Sequence, residues 1–172
     1  FILSSGLHSP KYIQCAQLMS KPDKASQICI SLSKKIQEDL DDFDIILSPA
    51  MGGVVVGYEI GRILKKETIF AERVNGKFTL RRDFSIKKNQ KILIIEDVIT
   101  TGKSSLECSQ LVAENKASIV GFACIIDRSN GRSLIKEKIV SQVKLNIPTY
   151  KENNLPKNLT LIKPIKPGSR NL

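Results

Sequence analysis

Two adjacent carboxylates, Glu96 and Asp97, stand just before a turn that is rich in threonine, glycine and serine. Hydroxyl groups in residues 100–105 can donate hydrogen bonds to an anion, and Gly102 lets a phosphate group approach the backbone closely. Because carboxylates repel phosphate, we expect the acidic pair to face another part of the same ligand, such as sugar hydroxyl groups or a metal-bound water. The pattern therefore predicts a site for a sugar phosphate.

The flanking elements would hold this turn at the edge of a sheet. Residues 92–95 are apolar and mostly β-branched, which is typical of a buried parallel strand that ends at a ligand loop. Residues 105–116 form a predicted helix, whose first turn would present backbone N–H groups and the positive end of its dipole to a phosphate. An acidic turn with no ligand is the alternative, but it leaves the carboxylates and hydroxyl groups unexplained.

The spacing of the glycines excludes two other phosphate-binding motifs. A Walker A loop needs glycine at the position of Asp97, and Gly52, Gly53 and Gly57 do not form the dinucleotide pattern GxGxxG. The sequence thus argues against a nucleoside triphosphate or NAD as the ligand.

The composition predicts a folded domain with a basic surface. The chain has 172 residues, of which 41% are hydrophobic, and 27 Lys and Arg against 17 Asp and Glu give a net charge of +10. This excess suits phosphorylated substrates, nucleic acid or another anionic surface, although the basic residues are scattered. With no long apolar run and no signal-like segment, we expect no membrane association and a cytoplasmic location.

The four cysteines, Cys15, Cys29, Cys108 and Cys124, form no CxxC pair, and His8 is the single histidine. Isolated cysteines in apolar surroundings are usually small core residues in a reducing compartment. We therefore predict neither a zinc site nor a redox site.

Hydrophobic periodicity predicts an α/β fold, with an open, mostly parallel sheet and helices on both faces. The predicted helices are residues 24–40, 52–64 and 105–116, and the predicted strands are residues 44–51, 68–72, 92–95, 118–127 and 143–147. Residues 1–20 would form a small hairpin hood, residues 73–88 a mobile basic loop with an Asn75-Gly76 turn, and residues 156–172 an extended tail. We predict one domain over residues 1–172, with further residues expected before Phe1.

Residues 91–105, KILIIEDVITTGKSS, resemble the signature by which type I phosphoribosyltransferases bind phosphoribosyl diphosphate (PRPP). The resemblance implies the fold of that family, with the acidic pair on the ribose hydroxyl groups and the turn on the 5-phosphate. The PRPP-binding residues that it implies are Glu96, Asp97, Val98, Ile99, Thr100, Thr101, Gly102, Lys103 and Ser104. The pyrophosphate loop that it implies comprises Ala50, Met51, Gly52 and Gly53, for which a glycine turn that serves only strand–helix packing is the alternative.

Residues 1–12 are similar to the opening of orotate phosphoribosyltransferases, where a Ser-Gly pair borders the orotate pocket. Ser5 and Gly6 match that pair, whereas Ser4 replaces a lysine that many members carry. The resemblance also places an orotate-binding arginine at Arg128, whose guanidinium could pair with the orotate carboxylate, and it places Thr100 beside the base. A surface arginine that merely follows a strand is the alternative for Arg128.

Residues 73–88 resemble the catalytic loop that closes over the neighbouring subunit's site in this family, which implies a homodimer. Such closure would stabilise the charge of departing pyrophosphate and exclude water. The candidate cations are Arg73, Lys77, Arg81 and Arg82, and the predicted catalytic set is Lys77, Arg73 and Asp97, with Lys77 as the leading general acid or phosphate contact. A solvated basic hairpin is the alternative.

The resemblance implies the Mg2+-dependent reaction of orotate with PRPP, which gives orotidine 5-monophosphate and pyrophosphate in pyrimidine biosynthesis. Mg2+ would be held mainly through the diphosphate of PRPP, so no metal site of protein side chains is expected. The substrates would be the partners, without nucleic acid or membrane. Two rivals stay open, namely a phosphoribosyltransferase for a purine or another base, and a transcription or RNA regulator on the same fold that binds PRPP without turnover.

Overall fold

The computed structural model describes residues 1–3 and 6–167. The chain divides into two compact units. Residues 15–145 form the larger unit, which contains the sheet, and residues 1–14 with residues 146–172 form the smaller one. The organisation as a single domain stays a prediction.

A mixed sheet dominates the larger unit. Its strands are β1 (Ile45–Pro49), β2 (Glu67–Val74), β3 (Lys77–Leu80), β4 (Lys91–Ile99), β5 (Ser118–Asp127) and β6 (Ile139–Lys144). The spatial order is β3-β2-β1-β4-β5-β6. β3 runs antiparallel to β2, and the other neighbouring pairs are parallel, which confirms the predicted sheet.

Helices cover both faces of this sheet, as predicted. They are α1 (Cys15–Met19), α2 (Pro22–Asp39), α3 (Gly52–Leu64) and α4 (Lys103–Glu114). The chain moves outward from β1 to β2 in one direction and from β4 to β5 in the other, so right-handed crossovers place α3 and α4 on opposite faces. The boundary between β1 and β4 is therefore the topological switch point, where open sheets of this type bind ligands.

The central strands are buried on both faces. All five residues of β1 are buried, and residues 92–95 of β4 are 0% exposed. On the α4 side, Ile92, Ile94 and Phe122 belong to one core cluster with Cys108 and Val112. Burial on both faces explains why these strands read as continuous apolar runs, and it fixes the loops that follow them.

Two elements of the larger unit differ from the predictions. Residues 77–80 of the predicted mobile loop form β3, which pairs with β2 across the Asn75-Gly76 turn. The last strand covers residues 139–144 and not 143–147, because residues 139–144 pair with β5 and Lys35 of α2 donates hydrogen bonds to the carbonyl oxygens of Ser141 and Gln142.

The smaller unit is built from the two ends of the chain. Ile2 and His8 form an antiparallel bridge, and His8 forms a second one with Tyr150. In the described part of residues 1–20, the bridge between Ile2 and His8 stands where the hood hairpin was predicted, and residues 15–19 of that range form α1 of the larger unit. The tail is not extended throughout, since its described part contains the short helix α5 (Lys157–Thr160). Within residues 1–3 and 6–167, no helix is long and apolar enough to span a membrane.

Candidate active site at the carboxyl edge of the sheet

The predicted phosphate turn lies between β4 and α4. Gly102 precedes the helix with φ at +79°, which favours glycine, and the N–H group of Lys103 donates to Oγ1 of Thr101 at 3.3 Å. The first turn of α4 follows directly, and backbone N–H groups there have no partner within the helix. The turn therefore has the backbone geometry expected of an anion site.

A segment beyond β5 supports this turn from behind. The N–H group of Leu134 donates to the carbonyl oxygen of Thr101 at 2.9 Å. A Cβ atom on Gly102 would lie 2.7 Å from Cγ1 of Ile135 and 2.8 Å from Oγ of Ser133. Gly102 is therefore needed for its backbone angle and for close packing, and sequence reasoning missed the residues packed against it.

The predicted pyrophosphate loop meets the acidic end of β4. A Cβ atom on Gly52 would lie 2.6 Å from Oδ2 of Asp97, and one on Gly53 would lie 2.7 Å from the carbonyl oxygen of Ile95. The two glycines thus let the start of α3 approach β4 closely. Met51, one residue earlier, is 80% exposed, and a cis peptide bond joins it to Ala50.

Glu96 and Asp97 both lie within β4, so their side chains point to opposite faces of the strand. Asp97 lies on the α3 side, next to Gly52, where burial and then the charge of Asp97 raise the pKa of Cys15 to about 12. Glu96 lies on the α4 side, where burial and then the charge of Glu96 hold the pKa of Cys108 above its usual range. The two carboxylates therefore border different loops.

The cysteines behave as small core residues. All four are free and buried, as expected of isolated cysteines in apolar surroundings. Cys15 borders the candidate site, since its Sγ donates to the carbonyl oxygen of Asp97 at 3.9 Å. Among the described residues, no group of three or more His, Cys, Asp or Glu side chains could hold a metal ion.

Arg128 lies at the same edge of the sheet, as predicted. Asp127 is in register with Ile99, and the N–H group of Arg128 donates to the carbonyl oxygen of Ile99 at 2.9 Å. Arg128 is only 6% exposed, so the alternative of a surface arginine is wrong. Burial lowers the pKa of its guanidinium. A guanidinium at this edge of the sheet can form a bidentate pair with a carboxylate, which suits an anionic ligand.

The candidate cations of the hairpin differ in their surroundings. Arg73 binds Glu107 of α4, and Arg82 donates two hydrogen bonds of 3.1 Å to Glu72. Lys77 and Arg81 are exposed. Two of the four candidates are thus engaged by carboxylates of the same chain.

The Ser-Gly pair predicted to border orotate is only partly described. Ser4 and Ser5 lie outside the described residues, and Gly6 is an exposed residue of the smaller unit with φ at +80°.

Comparison with known proteins decides the family. A model of the phosphoribosyl transferase domain matches residues 21–157. An orotate phosphoribosyltransferase of Parvibaculum lavamentivorans is 40% identical over 173 residues, which cover 100% of this chain and 89% of that protein. One from Methylorubrum extorquens is 45% identical and is covered to 88%. This chain belongs to the orotate phosphoribosyltransferase family.

Solved structures agree with the fold of an orotate phosphoribosyltransferase. The enzyme of that name from Aeropyrum pernix superimposes with a TM-score of 0.72 at 22% identity, over 84% of this chain and 85% of that one. An adenine phosphoribosyltransferase from Thermoanaerobacter pseudethanolicus gives a TM-score of 0.68 at 16% identity, over 78% and 88% of the two chains. Identities this low concern the fold alone. They confirm the type I phosphoribosyltransferase architecture, whereas the roles of individual residues stay predictions.

Proposed function

We propose that this orotate phosphoribosyltransferase, a pentosyltransferase, transfers the ribose 5-phosphate group of PRPP to nitrogen N1 of orotate. The observation that carries the proposal is the convergence of three elements at one sheet edge, namely the glycine loop after β1, the phosphate turn after β4 and buried Arg128 after β5. The bond between the anomeric carbon and the diphosphate oxygen breaks, its electron pair leaves with pyrophosphate, and deprotonated N1 forms the new bond. The products are orotidine 5-monophosphate and pyrophosphate.

Each part of PRPP has a proposed partner. Residues 100–104 bind the 5-phosphate, residues 50–53 bind the diphosphate, and Glu96 and Asp97 hold the ribose hydroxyl groups between them. The position of Asp97 next to Gly52 supports this order, since the diphosphate and the ribose are adjacent in PRPP. As the bond to pyrophosphate breaks, positive charge develops on the sugar, and carboxylates at the diol stabilise it electrostatically. Val98 and Ile99 carry the backbone from the acidic pair to the turn.

The orotate end is assigned to Arg128 and Thr100, with Ser5 and Gly6 as further contacts. A guanidinium binds a carboxylate with two parallel hydrogen bonds, which fixes the plane of the pyrimidine as well as its charge. The position of Arg128 supports this role, because the hydrogen bond from its N–H group to the carbonyl oxygen of Ile99 places it at the same sheet edge as the phosphate turn.

Mg2+ is proposed to enter with PRPP, whose diphosphate oxygens supply the ligands that this ion prefers. The Asp97 carboxylate beside Gly52 fits such an ion, because it places an oxygen donor next to the loop assigned to the diphosphate. When bound, Mg2+ neutralises charge on the leaving pyrophosphate. Lys77 is the leading protein cation for the same charge, followed by Arg81, since Arg73 and Arg82 are already paired with carboxylates of their own chain.

We also propose a homodimer in which the basic hairpin serves the partner's site. Support comes from an exposed apolar stripe formed by Met51, just before α3, and by Val55 and Tyr58 within it. These residues are 80%, 51% and 65% exposed, and their spacings of four and three residues place them on one face of the helix. A two-fold axis would pack this stripe against its own copy beside the diphosphate loop. Because Arg73 and Arg82 are paired with carboxylates of their own chain, cations from the partner's hairpin would supply positive charge to the site.

Free thiols are consistent with the proposed cytoplasmic location.

The activity is tested by the loss of orotate ultraviolet absorbance on addition of PRPP and Mg2+. We expect turnover in the parent chain and a loss of about 10- to 100-fold in kcat/KM for orotate in Arg128→Ala, as for a charged hydrogen-bonded contact. Turnover of adenine in place of orotate would instead favour the purine rival. PRPP binding with no turnover of either base would favour the regulator.

The dimer is tested by sedimentation of the parent chain and of Tyr58→Glu. We expect the parent to sediment as a dimer and the variant as a monomer, because two buried charges would face each other across the axis. Leu161→Glu is the matched control, since Leu161 is an 88% exposed apolar residue of the smaller unit. A parent that sediments as a monomer, or a Tyr58→Glu variant that stays dimeric, would contradict the α3 interface.

A further inference from the structure

Glu107 is a charged residue on the phosphate helix for which the mechanism above has no use. It lies in the second turn of α4, four residues after Lys103. Its Oε2 accepts a hydrogen bond from Nη2 of Arg73, and its Oε1 lies 4.0 Å from Nζ of Lys103. One carboxylate thus joins the hairpin of β2 and β3 to the helix that begins at the phosphate turn.

The Arg73 guanidinium is held in place by three neighbours. Besides its bond to Glu107, Nη1 donates to the carbonyl oxygen of Gly76 at 2.7 Å. Its central carbon lies 4.2 Å from the centre of the Phe78 ring, and Phe78 is a buried member of the core cluster. These contacts bind the strand β2, the turn and the strand β3 of the hairpin to one another. The guanidinium therefore forms its contacts with groups of its own chain.

We propose that Glu107 and Arg73 are positioning residues, which fix the hairpin that carries Lys77 to α4 and so set where Lys77 is presented to the partner's site in the proposed homodimer. This inference rests on the proposed function, in which Lys77 neutralises departing pyrophosphate. The charge on Glu107 gives Arg73 a partner on α4, so the end of the hairpin near its turn is tied to a helix outside it and swings less about its base. Arg73 accordingly acts through the position of the hairpin and not by contact with the substrate.

The surroundings of the pair predict that its removal lowers kcat but changes global stability little. Side chains of Arg73 and Glu107 are 34% and 25% exposed, so the pair is only partly withdrawn from water and contributes little to global stability. A catalytic group that is displaced by 1 Å, by contrast, can cost about 100-fold in rate. Removing the Glu107 charge should therefore leave the melting temperature within about 4 °C while lowering kcat.

The test compares Glu107→Gln, Arg73→Glu and the double variant Arg73→Glu/Glu107→Arg with the parent. In substrate-free protein, we expect backbone amides of residues 74–80 to exchange hydrogen at least about tenfold faster in both single variants. We expect kcat to fall by about 10- to 100-fold with KM for orotate unchanged, and the double variant to recover at least about tenfold of this loss. Asp39→Asn is the matched control, since it removes the Lys138–Asp39 ion pair of 2.6 Å outside the hairpin and α4.

Unchanged exchange in Glu107→Gln would overturn the inference, and so would faster exchange with full kcat. Failure of the double variant to recover any activity would also overturn it, because Arg73 would then be required for itself. Absence of turnover in the parent chain would refute the proposed function separately, and hydrogen exchange would still decide whether Glu107 anchors the hairpin.

Discussion

Gly52 lies where the proposed diphosphate loop touches the acidic end of β4, and one added methyl group tests that arrangement. A Cβ atom there would lie 2.6 Å from Oδ2 of Asp97 and 2.7 Å from its Oδ1. Ordinary van der Waals contact begins at 3.4 Å, so Gly52→Ala must displace the carboxylate or the start of α3 by about 0.8 Å. The backbone of Gly52 is already helical, so alanine adds no strain of its own.

Stability and activity should respond differently to this change. Alanine gains up to about 1 kcal/mol of helix propensity. This offsets much of the steric cost and of the hydrogen bond from the N–H group of Val98 to Oδ1 of Asp97, 2.9 Å long, which a displaced carboxylate would weaken. We therefore expect the free energy of unfolding to change by less than about 1 kcal/mol. Misplacement by 1 Å at a reaction centre costs about 100-fold in rate, so kcat/KM for PRPP should fall by about 10- to 100-fold.

The assay is orotate consumption at varied PRPP, with urea unfolding measured on the same protein. Gly53→Ala is the matched comparison, because its Cβ atom would meet the backbone carbonyl oxygen of Ile95 at 2.7 Å. That atom cannot rotate away, so this variant should lose about 1–3 kcal/mol of stability. If Gly52→Ala keeps kcat/KM for PRPP within about twofold of the parent, Asp97 does not serve the ribose and the assignment of the loop is wrong.

Three further predictions concern the rest of the site and the core. Gly102→Ala should lose about 1–3 kcal/mol in urea unfolding and weaken PRPP binding in calorimetry, because Ile135 lies 2.7 Å from the new Cβ atom and φ is +79°. Arg128→Lys should raise KM for orotate almost as much as Arg128→Ala does, since lysine cannot form the bidentate pair. Burial and then the charge of Glu59 raise the pKa of Cys29 from 9.0 to about 11. The protonated thiol therefore contributes fully to the stability of the folded state below pH 9, and this contribution is lost as pH rises toward 11. Urea unfolding near pH 10 should show roughly 1 kcal/mol of extra alkaline loss in the parent relative to Cys29→Ala.

Local sequence signals predicted those parts of the fold that depend on neighbouring residues. Asn75 and Gly76 adopt φ of +50° and +81°, the angles that a two-residue hairpin turn requires, and Val74 pairs with Lys77 as that turn dictates. The fifth strand occupies residues 118–127, as its apolar run predicts. The acidic pair and the glycine turn likewise mark the ends of two parallel strands, which must share one sheet edge. These features follow from short-range chemistry, so one sequence suffices to find them.

Contacts between distant residues could not be predicted in the same way. Arg73 and Glu107 are 34 residues apart, and their pairing depends on the position of β3 beside the helix after β4. The support of Gly102 by Ile135 depends similarly on the path of the chain after β5. For the last strand, residues 139–144 and 143–147 both carry apolar residues at strand spacing. Only the parallel pairing with β5 selects the former, and no local pattern encodes that choice.

The adjacency of Glu96 and Asp97 matters because β4 lies at the topological switch point of the sheet. Successive residues of a strand face opposite sides, so Asp97 lies beside the loop before α3 and Glu96 lies on the side of α4. Because α3 and α4 leave the sheet on opposite faces, each carboxylate borders a different one of the two loops proposed to bind anions. Two acids separated by one residue would both face a single loop. A ligand with an anionic group at each end and a diol between them therefore calls for adjacent acids, and PRPP has that arrangement.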